Sequence, residues 1–191
     1  MKRALWTIGL LFVSVLMAIK VEAASIVSFS VAQMSRGAEK IFVGTCTATE
    51  ESMNEYGLSV LTVTFTVREA LKGSVGQTVT FRQLNPVQPP PVRPGVGGLR
   101  QDIQTLGLPS YTHGEEALLF LAKEGKTGLT SPLGFTQGKM PVLVTSTGEK
   151  RVINKSWRVE SPQNLAIPQP GAGGDYTQFM TALRALIQTG Q

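Results

Sequence analysis

The chain has 191 residues, 42% hydrophobic and 16% charged, with a net charge of +5. That length suffices for one domain with a sizeable core, and the basic residues are too few and too scattered for a nucleic-acid partner. The single cysteine, Cys46, excludes an intramolecular disulfide.

At the amino terminus, Lys2 and Arg3 precede an apolar run from Ala4 to Ile19, and Val21-Glu22-Ala23 ends in the small residues that signal peptidase accepts. This predicts a signal peptide over residues 1–23. The apolar run is about 16 residues against the roughly 20 that a membrane span needs, so no stable span is expected once it is removed. No cysteine follows it to take a lipid. Cleavage leaves 15 basic against 12 acidic residues, a net +3. The expected location is therefore the periplasm or the extracellular medium of a bacterium, with a fold held by its apolar core.

A short helix is expected over residues 26–37, because Val27, Val31, Met34 and Ala38 recur at helical spacing, with Ser30 and Gln33 as a capping box, Phe29 and Met34 as a hydrophobic staple and Gly37 as the stop. A first strand is expected over Lys40–Glu50, in which Phe42, Gly44, Cys46 and Ala48 share one face and Cys46 is a small buried core residue. After a polar turn through Asn54 and Gly57 comes the clearest strand signal, Leu58 to Gly73. Leu61, Val63, Phe65 and Val67 alternate there with Thr62, Thr64, Thr66 and Arg68. Such a run spans roughly 46 Å at about 3.3 Å per residue, so it must coil within a curved sheet. Thr78–Leu84 reads as a third strand of the meander.

Residues 85–109 hold five prolines and three glycines between Pro86 and Gly98 and read as a long loop. The unbroken apolar run Ala117–Leu121 predicts a central strand covered on both faces. Shorter strands are expected at Gly128–Leu133, Met140–Val144 and Arg151–Asn154. Residues 161–174 read as a linker. Asp175 then caps a closing helix over 175–190, whose stripe of Phe179, Leu183, Leu186 and Ile187 predicts docking. The fold class expected is mainly β: a small closed antiparallel OB-like barrel over residues 24–160, with a short amino-terminal helix and a carboxy-terminal helix packed on it.

The succession IFVGTCTATE, FTVREALKG, LGLPSYTHGEEALLFL and GFTQGKMPV resembles an uncharacterised family of exported bacterial proteins. In that pattern a Val-Gly-Thr strand precedes one closed by Leu-Lys-Gly, and Gly-x-Pro-x-aromatic-x-x-Gly-Glu precedes a Leu-Leu-Phe-Leu strand. The order is also distantly similar to the netrin-like module of tissue inhibitors of metalloproteinases, which implies a five-stranded OB-type barrel over residues 26–145. It carries no inhibitory mechanism across. Those inhibitors chelate zinc through an amino-terminal cysteine, whereas the mature start here would be Ala24.

His113 is the only histidine and stands beside Glu115 and Glu116. A lone histidine with two carboxylates falls short of a zinc site, no HExxH or Gly-x-Ser-x-Gly motif occurs, and no metal or cofactor is expected. A catalytic set of Cys46, His113 and Glu115 would join distant residues on no sequence signal. The competing reading is a tight turn at Gly114-Glu115, its carboxylate bonded to nearby amides or a basic partner. Pro91-Val92-Arg93-Pro94 fits a PxxP ligand, but readers of that motif are mainly intracellular, so it is taken as stiff surface loop. The expected function is an exported, non-enzymatic binding module that presents its long loop, Asn85 to Leu108, and its barrel rim to an extracytoplasmic protein, inhibitor-like in kind, with Pro109, Tyr111, His113 and Glu115 as binding residues. The alternatives are a hydrolase using His113 with Glu115 or Glu116, and a structural envelope protein.

Overall fold

The computed structural model describes residues 29–88, 103–104, 107–153 and 173–190. The signal-peptide segment, the PxxP run and most of the expected linker lie outside them. Helix α1 (Val31–Gly37) opens the described fold, capped as the sequence predicts: the Ser30 hydroxyl accepts from the Gln33 amide, and the Gln33 side chain accepts from the Ser30 amide. Strands β1 (Lys40–Met53), β2 (Ser59–Lys72) and β3 (Thr78–Leu84) follow as an antiparallel meander.

Two short strands, β4 (Val87–Gln88) and β5 (Ile103–Gln104), pair with each other where only loop was expected. Then come β6 (Glu116–Leu121), a 3-10 turn (Phe135–Gly138), β7 (Lys139–Val144), β8 (Lys150–Ile153), β9 (Gly173–Asp175) and helix α2 (Tyr176–Thr189). The end of the expected linker thus pairs with β8 as β9. Asp175 caps α2 by accepting from the Gln178 amide. Among the described residues no helix is long and apolar enough to cross a membrane.

The strand order is β3-β2-β1-β6-β7-β8-β9, so β6 lies at the centre of a seven-stranded antiparallel sheet. Its apolar run is covered on both faces, as expected. Leu118 and Phe120 face the helices with Ile41, Val43, Met140, Phe179 and Leu183, while Leu119 and Leu121 face the opposite cluster of Phe42, Cys46, Val63, Phe65, Phe81 and Tyr111. Phe65 is fully buried there, its ring centroid 5.9 Å from that of Phe42 and 5.8 Å from that of Tyr111. The strand that closes on Leu71-Lys72-Gly73 is tied to α1, because the Lys72 ammonium donates to the Ser35 and Arg36 carbonyls at 2.9 Å each. Those are carbonyls at the helix carboxy terminus, where a cation is favoured.

The closed barrel is not what forms. The sheet is open, with β3 and β9 as its edges. Register slips in β1 between Val43 and Gly44 and between Cys46 and Ala48 bend the β1-β2 ribbon as a coiled strand requires. Yet the expected strand Gly128–Leu133 does not form: after a turn over Gly125–Leu129 the chain runs irregularly beside the end of β6, held by the Ala122 amide on the Ser131 carbonyl and the Leu133 amide on the Phe120 carbonyl. Gly125 donates to the Leu129 carbonyl, Gly128 has φ +70°, and Leu121 bridges only Pro132. The same stretch gives β3 one hydrogen bond, from the Thr130 amide to the Arg82 carbonyl at 2.8 Å, instead of a ladder.

Candidate functional site

The four residues expected to bind a partner sit on the segment that enters β6, and three of them are taken up by the fold. The Pro109 carbonyl accepts from the Gln83 side chain of β3 at 2.9 Å, and the Tyr111 hydroxyl donates to the other end of the same amide at 3.2 Å. Gln83 is buried, so both ends of its amide are satisfied inside the core. Burial pushes the Tyr111 phenol well above its ordinary range, with Cys46 and Glu115 adding to the shift.

Residues 112–115 make the tight turn. The Glu115 amide donates to the Thr112 carbonyl at 3.0 Å, and Gly114 has φ +82°, a conformation that a side chain would strain. His113 stands exposed at the turn's crown.

Glu115 turns toward the aromatic cluster. Its carboxylate accepts from the Thr112 amide at 3.3 Å and from the Lys139 ammonium at 2.6 Å. Lys139 also donates to the Ser110 carbonyl at 2.6 Å and lies 4.8 Å from the Tyr111 ring centroid, with 8% of its surface exposed. A nearly buried ammonium is tolerable only with such a full set of partners. Lys139 is the residue that sequence reasoning missed. Its signal was a lysine wedged between Gly138 and the apolar Met140-Pro141-Val142 at a strand start.

The adjacent Glu116 points to the other face of β6. It pairs with Arg68 at 2.7 Å and Lys150 at 3.0 Å, beneath the ring of Tyr176, whose hydroxyl accepts from Arg68 at 2.6 Å. Burial raises the Tyr176 phenol, and neighbouring Arg68 partly offsets it. With Arg184 on Glu69 at 2.6 Å, this network fastens α2 and β8 to β2 and β6. The two carboxylates considered for chemistry therefore serve opposite faces of the sheet.

Cys46 meets the turn through its backbone, donating to the Glu115 carbonyl at 2.9 Å and accepting from the Gly114 amide at 2.8 Å. Its thiol is fully buried and directed at the Ala48 carbonyl 3.8 Å away. Burial first, then Glu115, push its pKa up, against a smaller opposing pull from Lys139. No hydrogen bond links the side chains of Cys46, His113 and Glu115 among the described residues. Nor does any group of three His, Cys, Asp or Glu residues come together among them.

The motif stretches nevertheless converge. Gly107 accepts from the Thr136 amide at 2.8 Å, and Glu115 meets Lys139, so LGLPSYTHGEE and GFTQGKMPV fasten to each other around the aromatic cluster. What remains open to a partner lies elsewhere. Beyond Cys46, β1 keeps β2 on one side and has no described strand on the other, because β6 pairs only with Lys40–Thr45. This ribbon ends in Met53, Tyr56 and Leu58, exposed by 59%, 67% and 44%.

Comparison of the chain with protein-family models, with curated proteins and with solved structures finds no match, which neither supports nor weakens the netrin-like resemblance.

Proposed function

We propose that this protein is an exported, non-enzymatic module that binds an extracytoplasmic protein, and that the outer half of the β1-β2 hairpin is the surface it offers. The observation that carries this reading is the β1 edge left without a described strand beyond Cys46, ending in the exposed side chains of Met53, Tyr56 and Leu58. An open sheet edge beside apolar side chains is the ordinary material of a protein-binding surface. The fold it springs from is held independently by the Glu115-Lys139 and Glu116-Arg68-Lys150 contacts. Binding there would not require those contacts to break.

The test is cross-linking capture from the periplasmic fraction and the culture medium, with the full chain as bait and a Tyr56→Ser, Leu58→Ser variant as control. The expected outcome is a partner recovered by the wild type and lost with the variant at unchanged melting temperature. Equal recovery by both, or turnover of ester, peptide or glycoside substrates that disappears in His113→Ala, would overturn the reading.

A further inference from the structure

The acidic charge of the molecule is unevenly placed. From Ile41 to Val67 there is no Lys, Arg or His, although the chain as a whole carries +5. Within that stretch Glu50, Glu51 and Glu55 are all exposed and take no ion pair among the described residues.

The backbone beside them is also open. Cys46 directs its amide and carbonyl away from β2, toward Glu115 and Gly114. After the slip at Thr47, alternation turns the main-chain groups of Ala48, Glu50 and Ser52 toward β2 and those of Thr49, Glu51 and Met53 outward. The outward groups have no partner strand among the described residues.

From these observations, and resting on the reading of the hairpin as a protein-binding surface, we infer that the Ala48–Met53 edge takes a basic, extended peptide segment as an added β-strand. Outward amides and carbonyls supply a ladder that any extended chain can complete, so side-chain charge must choose the chain. Glu50 and Glu51 project to opposite faces of the ribbon, so a strand with alternating cations meets a carboxylate whichever face its cations take. A second copy of this protein is disfavoured by the same residues. Antiparallel self-pairing centred on Glu50 or on Glu51 would set that glutamate directly against its own counterpart, and like charges facing each other across strands repel. The exposed Met53, Tyr56 and Leu58 stand at the end of the edge, where they can cover the apolar side chains of the incoming strand.

The probe is a synthetic peptide of about eight alternating Lys and Val residues, long enough to lie along this edge. Its binding to the full chain is read by calorimetry. The expected result is saturable binding that falls with rising ionic strength and weakens by about tenfold or more in Glu50→Lys, Glu51→Lys. Alternate N-methylation along one edge of the peptide should abolish it, while N-methylation along the other leaves it intact.

Binding indifferent to N-methylation on either edge would mean a diffuse electrostatic contact and would overturn strand addition. So would equal binding of a Glu and Val peptide, or absence of binding. Capture of a cellular partner by wild type and by Glu50→Lys, Glu51→Lys alike would sink this inference while leaving the binding-module reading standing. Loss of capture in that charge variant as well as in Tyr56→Ser, Leu58→Ser would support both.

Discussion

The two halves of β1 belong to one continuous strand and differ in almost every physical respect. In Ile41–Thr45 both edges are paired, to β2 and to β6, Cys46 continues onto the turn before β6, and Ile41, Phe42, Val43 and Cys46 are fully buried. In Ala48–Met53 one edge is paired and the side chains, apart from half-buried Ala48, are exposed. The division falls at the Thr47 slip, immediately after the point where the Glu115 turn docks on Cys46. The difference shows that strand length and strand burial are separate properties. The ribbon with β2 fixes the first, and the segment entering β6 fixes the second.

The largest effect should come from the inner half. Phe65 faces Cys46 across the ladder and touches the rings of Phe42, Phe81 and Tyr111. Phe65→Ala should lower stability by about 3 to 5 kcal/mol in urea melts, and an unchanged midpoint would break the distinction between the halves.

Next comes the clasp that ends the buried half. Lys139→Ala leaves the Glu115 carboxylate without its cation, and the loss should be about 2 to 4 kcal/mol. That is somewhat below the range for a fully buried pair, because the Glu115 side chain keeps 22% exposure. Lys139→Met, which retains the length and apolar packing, should recover part of it if lost packing contributes, and a melt of both variants separates the two terms.

Alkaline pH gives a smaller, signed effect. The pKa values of Cys46 and Tyr111 are raised in the folded state, so each group contributes stability in its neutral form. That stability is complete below their ordinary values of 9.0 and 10.0 and declines as the pH climbs through and above them. Cys46→Ala should remove the first part of the decline, at a loss of about 1 kcal/mol near neutrality. Thiol reagents should label the folded protein only as fast as it opens. Rapid labelling of native protein would place the residue at the surface and revive its candidacy for chemistry.

The smallest effect is expected in the outer half. Glu51→Thr or Met53→Thr should change the melting free energy by less than about 0.5 kcal/mol, since neither side chain is buried. A loss comparable to that of Phe65→Ala would show that this half is covered in solution.

The candidate site divides in the same way between what was legible and what was not. Alternation over Leu61–Val67 and the apolar run of β6 announced their strands, and the Ser30 and Asp175 caps announced both helices, because each is a local pattern that one element satisfies by itself. The glycine turn at Gly114 was legible for the same reason. The partner of Glu115 was not, since Lys139 lies on another strand and nothing local ties the two together. Pro109 and Tyr111 looked available to a partner because a sequence does not display burial. Their engagement by Gln83 depends on where β3 passes.

By itself, then, the amino-acid sequence determined the order of the helices and main strands, the central position of β6 and the side of β2 that faces the core. These follow from side-chain periodicity and from the hydrogen-bonding habits of capping and turn residues, which act within a few positions along the chain. Only the tertiary structure decided that the sheet stays open, that Glu115 and Glu116 serve opposite faces and that β1 beyond Cys46 has no strand on its second edge among the described residues. Each of these turns on which distant backbone or charge arrives alongside. Where a strand over Gly128–Leu133 was expected, the structure has an irregular stretch that gives β3 a single backbone bond, and the sheet stays open.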